Sequence, residues 1–165
     1  MGPGTPLSLS PSEFKDLKAR FDAAFPDMGD EFLVTSPKTE DYNCIAWAAG
    51  ENEAWWWPSE EGFWPSGATR AETIPAFFEA FGLLGYETCN GAELEVGFEK
   101  VALYARAGKP THMARQLESG EWTSKLGTSY DISHRRAEAV FGYLYGDQIF
   151  ILRRLRSQPS QSEDE

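Results

Sequence analysis

Cysteine, histidine and positive charge are all scarce in this chain, and each scarcity excludes something. Two cysteines, Cys44 and Cys89, and two histidines, His112 and His134, occur in 165 residues. One pair of thiols gives no disulfide framework, and neither CxxC nor HxxxH spacing is present, so no metal is expected. Phosphate-cradling loops of the GxxxxGK[ST] or GxGxxG type are missing too, and no cofactor is expected. Lys and Arg total 15 against 26 Asp and Glu, a net charge of −11. Phosphate backbones and anionic lipids need clustered cations, so neither nucleic acid nor membrane is an expected partner. No stretch reaches the roughly 18 apolar residues of a membrane span. Met1-Gly-Pro-Gly-Thr-Pro6 lacks the basic start and apolar core of a signal peptide, which makes the cytoplasm the default compartment, with export by a specialised system left open.

What is present is enough apolar surface for one folded domain: 41% of residues are hydrophobic and 14% aromatic. Residues 1–9 read as a flexible leader, 10–156 as a single domain and 157–165 as a disordered acidic tail. Ser10-Pro-Ser-Glu13 combines a cap, a first-turn proline and a capping-box glutamate, and Phe14, Leu17, Phe21 and Phe25 recur at helical spacing; a helix over 11–24 follows. A second, almost wholly apolar helix is expected over Asp41–Ala49, stopped by Gly50. Thr73 and Pro75 open a third that carries Phe77, Phe78, Phe81 and Leu84. Beyond Gly85 the pattern turns to strands: a short one at 86–89, then 99–106, 111–118, 122–126 and 148–155, with Ser119-Gly120 as a hairpin turn. A short helix is expected from Ser133 to about Tyr143. Helices first and an antiparallel sheet afterwards make the class α+β.

Two segments carry chemistry. In Asp41-Tyr-Asn-Cys-Ile-Ala-Trp-Ala-Ala49 a thiol falls in the first turn of a buried helix, with Asp41 or Asn43 as its cap. Backbone N–H groups favour a thiolate there. In Pro110-Thr-His-Met-Ala-Arg-Gln116 a histidine opens a strand and shares its face with Ala114 and Gln116. Cysteine and histidine on separate elements are the usual nucleophile and base of thiol hydrolases. Each has an ordinary reading as well, a small buried hydrophobe and a packed core imidazole.

With that order of elements, Asn43-Cys-Ile-Ala-Trp-Ala-Ala49 followed by Thr111-His112, the chain resembles the papain-like cysteine hydrolase superfamily in its minimal bacterial forms, the NlpC/P60 and CHAP amidases. Glu121-Trp-Thr-Ser-Lys-Leu-Gly127 and Asp131-Ile-Ser-His134 also resemble a group of bacterial proteins with no attached activity. The superfamily resemblance covers roughly residues 40–155. It implies a central helix carrying Cys44 packed on an antiparallel sheet, His112 as general base and then acid, and a third polar residue that orients the imidazole. Ser124 and Asp131 fall at the superfamily's spacing beyond His112, and His134 just past it; Asp131 is the first choice, because a carboxylate holds the imidazole tautomer, and His134 the second. Capping of the following helix is the competing role of Asp131. Asn43 or Gln116 would join the Cys44 N–H in an oxyanion hole, with Tyr42 lining the cleft. The expected reaction is thioester formation at an amide carbonyl of a peptide, protein or small molecule, followed by hydrolysis or transfer: a peptidase, amidase or deamidase.

The aromatic stretch Trp55-Trp-Trp-Pro58 and Phe63-Trp-Pro65 has two readings. Most of it packs inward as a small core for an irregular loop, with Trp57 and Trp64 as the candidates for the cleft rim. The alternative function uses the same loop as a protein-binding surface, in an accessory or immunity-type module built on a non-catalytic papain-like scaffold.

Overall fold

The computed structural model describes residues 7–156. Seven strands form one antiparallel sheet in the order β1-β6-β5-β4-β3-β7-β2. They are β1 (Phe32–Ser36), β2 (Glu87–Cys89), β3 (Phe98–Arg106), β4 (Lys109–Gln116), β5 (Trp122–Lys125), β6 (Asp131–His134) and β7 (Gln148–Leu155). Helix α1 (Pro11–Ala24) covers one face, while α2 (Cys44–Ala48) and α3 (Ile74–Gly82) cover the other. The class is α+β, with helices on both faces of the sheet.

Two apolar layers result from the alternation of the central strands. Ala102, Tyr104, Ala114, Trp122 and Ile132 meet Leu17, Phe21 and Phe25 on the α1 side. Val101, Leu103, Met113 and Leu152 meet Ile45, Phe77 and Phe81 on the other. A strand covered on both faces has no polar side to show, which is why Val101–Ala105 is an unbroken apolar run.

Ser10 caps α1 with the expected reciprocal box: its hydroxyl accepts from the Glu13 N–H at 3.1 Å, and the Glu13 carboxylate accepts from the Ser10 N–H at 2.8 Å. Phe14, expected in the core, is 41% exposed and lies against Phe32 with ring centroids 5.7 Å apart. The expected leader shortens as well. The Leu7 N–H donates to the Val34 carbonyl at 2.6 Å, and Leu7 and Leu9 pack on the α1-side core. The remainder of the leader and the tail over 157–165 lie outside the described residues.

Two other expectations need correction. Asp131-Ile-Ser-His134 is a strand that pairs with β1 and β5, and of the short helix expected from Ser133 to about Tyr143 only Ala137–Val140 forms, as a 3-10 turn. Asp and Ser are capping residues when the next turn can form, but here pairing on both edges captures the segment. β1 itself was not anticipated, because five residues between Asp30 and Pro37 carry too short a pattern. Among the described residues no helix is long and apolar enough to cross a membrane.

Candidate active site

Cys44 is the first residue of α2. The Asn43 side chain caps it, with Oδ1 accepting from the Ala46 N–H at 3.1 Å and the Trp56 N–H at 2.9 Å. Asn43 Nδ2 donates to the Trp56 carbonyl at 2.6 Å, so this carboxamide binds the helix start to the tryptophan loop. Helix α2 packs over β4 and β5, held there by Trp47, whose indole N–H donates to Thr123 Oγ1 at 2.8 Å.

A cavity of about 310 Å³ opens over the cysteine, walled by Asn43 and Cys44 together with Trp55, Trp57, Thr111, Gly127 and Tyr145. The loop divides as its composition suggests, though not along the expected members. Trp56 and Trp64 are buried, and the Trp64 indole donates to the Thr69 carbonyl at 2.9 Å while its ring packs on Phe77. Trp57 reaches the rim as expected; Trp64 does not, and Trp55 takes its place.

Burial pushes the Cys44 thiol up to about 11, against the pull of the Met113, Ile45 and Cys44 backbone N–H groups and the nearby Lys125 ammonium. Met113 is the neighbour of His112 on β4. The β4–β5 ladder runs only through Arg115↔Thr123 and Gln116↔Trp122, so the Met113 N–H lies beyond the paired stretch and faces the sulfur instead.

His112 is fully buried. Its Nε2 stands 2.9 Å from Ser124 Oγ, and the same hydroxyl stands 2.8 Å from His134 Nε2. His134 Nδ1 is 2.8 Å from the Arg136 carbonyl oxygen. This chain fixes every proton in turn. A carbonyl only accepts, so His134 Nδ1 carries a hydrogen and its Nε2 is a lone pair. Ser124 therefore donates to His134 and accepts from His112 Nε2–H. His112 Nδ1 is left as a lone pair, and it is buried without a hydrogen-bond partner. Burial keeps both imidazoles neutral: His134 falls to about 4, and His112, with His134 also beside it, lies well below 6.5.

The sequence thus led to three of the four groups in this chain, but it ranked them differently. Asp131, the first choice to orient His112, does not reach it. Asp131 alternates with Ile132 and faces the other side of β6, where its carboxylate accepts from the Tyr42 hydroxyl beside the Lys125 ammonium. Tyr42 is committed to that contact and does not line the cavity. Gln116 shares the His112 face but sits at the far end of β4, where its Nε2 donates to the Ala92 carbonyl at 2.8 Å. His112, Ser124 and His134 share the α1 side of the sheet with Tyr104, Ala114, Trp122 and Ile132, whereas Cys44 belongs to the opposite side. His112 does not line the cavity over the sulfur, and no hydrogen bond joins that sulfur to either of its nitrogens.

Two side chains went unrecognised. Lys125 is fully buried beside Tyr42 and donates to the Thr39 carbonyl at 2.8 Å and to the Gly127 carbonyl. It clasps the approach to α2 against the Gly127 wall of the cavity. Tyr145 lies flat on His112, centroids 4.0 Å apart and planes within 9°, while its other edge lines the Cys44 cavity. Neither stands at a spacing that marks it in the sequence. Cys89 is a free, half-buried thiol on the opposite edge of the sheet.

Residues 33–153 match the family described as Domain of unknown function (DUF7689). No curated protein and no solved structure matches the chain.

Proposed function

Since the chain belongs to the DUF7689 family, whose description carries no chemistry, its function rests on its own side chains, and we propose a cysteine-nucleophile hydrolase or acyltransferase acting at an amide carbonyl. Cys44 is the nucleophile and His112 the base in this reading, on a scaffold of papain-like type. The observation that carries it is the His112 Nδ1 lone pair. It is buried, unpartnered and held in that tautomer by Ser124 and His134, on the strand residue next to the N–H that meets the Cys44 sulfur. Most buried polar side-chain atoms have a partner, and an unpartnered imidazole lone pair is free to accept a proton.

Thiol and imidazole are both neutral at rest, so the proton leaves sulfur as the sulfur attacks. In this reading the S–C bond forms, the thiol proton passes to His112 Nδ1 through the unpaired stretch between β4 and β5, where the Met113 N–H meets the sulfur, and the imidazolium then protonates the departing amine as the C–N bond breaks. Water, or another acceptor, takes the acyl group from sulfur by the same route in reverse. With a hydroxyl and a second imidazole in place of a carboxylate, the relay orients His112 while giving its cation little electrostatic support. Substrate candidates remain peptides, proteins and small amides.

The test is alkylation of Cys44 by iodoacetamide at pH 7 in a Cys89→Ser background, followed by intact-mass spectrometry. His112→Gln should slow labelling by about a hundredfold, the usual weight of a general base. Equal rates in two folded proteins would overturn the nucleophile. They would favour the binding-module alternative instead, with the 38% exposed Trp55 and 50% exposed Phe63 as its contact surface.

A further inference from the structure

The sulfur of Cys44 has a cation on its own side of the sheet. Successive residues of β5 face opposite sides: Trp122 and Ser124 lie in the α1 layer, while Thr123 and Lys125 face α2. The Trp47 indole on Thr123 fixes α2 over that face. The Lys125 ammonium lies 5.1 Å from the centre of the Tyr42 ring, two residues before Cys44. It donates to the carbonyls of Thr39, on the approach to α2, and of Gly127, a wall of the Cys44 cavity. Both acceptors are neutral, so neither hydrogen bond cancels its charge. Full burial leaves little water or salt to screen it. Of the groups facing the ammonium, Asp41, Tyr42 and Cys44 belong to the chain entering α2 and Asp131 to β6. On β4, the Arg115 guanidinium sits 4.8 Å over the Trp47 ring and His112 is neutral; the Tyr145 phenol is also neutral.

We propose that Lys125 is a positioning residue for Cys44, its ammonium supplying the positive field in which the sulfur gains charge as its proton leaves. The proposal rests on the nucleophile reading above. In that reading the thiol proton goes to His112 and Lys125 keeps its own throughout, so no bond to Lys125 forms or breaks. A thiol enclosed in apolar surroundings is inert unless a cation favours its ionised form. The relay of two imidazoles and a hydroxyl is neutral at rest and brings no such charge. Lys125 does. Burial lifts the thiol and the ammonium draws it back, and the same burial lowers the ammonium while charge on the sulfur raises it. A lysine placed only to tie Thr39 to Gly127 would leave the reactivity of Cys44 indifferent to its charge.

The test labels Cys44 in the Cys89→Ser protein with two reagents of unlike charge, iodoacetate and iodoacetamide, followed by intact-mass spectrometry. Both attack through the same thiolate, so the ratio of their rates cancels thiolate fraction and access and reads the local field. An ammonium a few ångströms away favours the anionic reagent by about fourfold even at the dielectric of water. Asp131→Asn serves as the reference without the neighbouring carboxylate. Adding Lys125→Met to it should lower the iodoacetate-to-iodoacetamide ratio by about fourfold or more, and Lys125→Arg alone should keep the parent ratio. A second measurement needs no substitution at 125. With rising pH the parent ratio should fall as Lys125 loses its proton, at a midpoint below the ordinary lysine value of 10.5. A ratio that ignores both the folded double variant and the pH would overturn the role of Lys125 and leave Cys44 chemistry standing. His112→Gln acts on the absolute rates instead. Undiminished labelling there, together with a Lys125-dependent ratio, would fell the base and support Lys125.

Discussion

Tyr145 covers His112 ring on ring, at 4.0 Å between centroids, and so closes the imidazole off from solvent. Its own carbonyl is fixed from below, accepting from Thr111 Oγ1 at 2.7 Å, so the lid over the histidine is tied to the residue before it. The neutrality of His112 is therefore a property of the packing, and it has consequences for stability.

Acid should destabilise this protein earlier than its carboxylates would require. Both histidines take up a proton near 6.5 when unfolded, whereas in the fold His134 resists until about 4 and His112 lies well below 6.5. Unfolded chains thus bind more protons in that window, and stability falls as pH drops from 6.5 toward 4. The slope approaches about 1.4 kcal/mol per pH unit for each histidine, and stability is level above pH 7. Asp131 is raised and acts in the opposite direction at the low end of the window. Urea midpoints at pH 7.5, 6.0 and 5.0 measure the effect; the loss per pH unit should shrink in His134→Gln.

Ser124→Ala should cost about 3 kcal/mol of folding stability. It strips a partner from two buried ring nitrogens at once, one a donor and one an acceptor, at about 1–3 kcal/mol each. Ser124→Thr keeps the hydroxyl and should recover much of the loss. Chemical denaturation of the three proteins reads the difference. Under the proposed mechanism Ser124→Ala also slows Cys44 alkylation, since His112 is then free to carry its proton on either nitrogen.

Lys125→Met should destabilise by about 3–5 kcal/mol, because it leaves a buried carboxylate held only by the Tyr42 and Ser36 hydroxyls. Replacing Lys125 and Asp131 together, by Met and Asn, should recover part of that. A denaturation double-mutant cycle gives the coupling, and additive losses would show that the two charges do not interact.

Periodicity made α1 and α3 legible, and the first-turn signals Ser10-Pro11 and Thr73-Pro75 fixed their starts. Both features report local geometry, which a sequence records directly. The two-sided burial of β3 was legible too, as an apolar run without alternation. Strand β6 was not, since Asp131 and Ser133 offer a capping signal as readily as a strand end, and only the distant β1 decides between them.

The site shows the same boundary. Cys44 and His112 stand out because they are rare and chemically marked. Ser124 is one hydroxyl among many until its two imidazole neighbours are known. The misplacement of Asp131 is instructive: its chemistry suited the role, but a strand sends successive side chains to opposite faces, and His134 has the parity that Asp131 lacks. Alternation was sufficient to prefer His134 once residues 131–134 were recognised as a strand.

Strand β3, at nine residues the longest of the sheet, takes β4 on one edge and β7 on the other. The first partner follows it at once in the chain, whereas the second arrives only at Gln148. While such a chain emerges from the ribosome, β3 and β4 can form their hairpin early, yet one long apolar margin stays unpaired until the seventh strand is made. For that interval the protein carries its most adhesive surface uncovered, and the loop bearing Tyr145 is still missing from above His112. Cys44 has then been synthesised without a completed partner. The cavity over Cys44 therefore gains its Tyr145 wall, and His112 its cover, only when the C-terminal part of the chain closes the sheet.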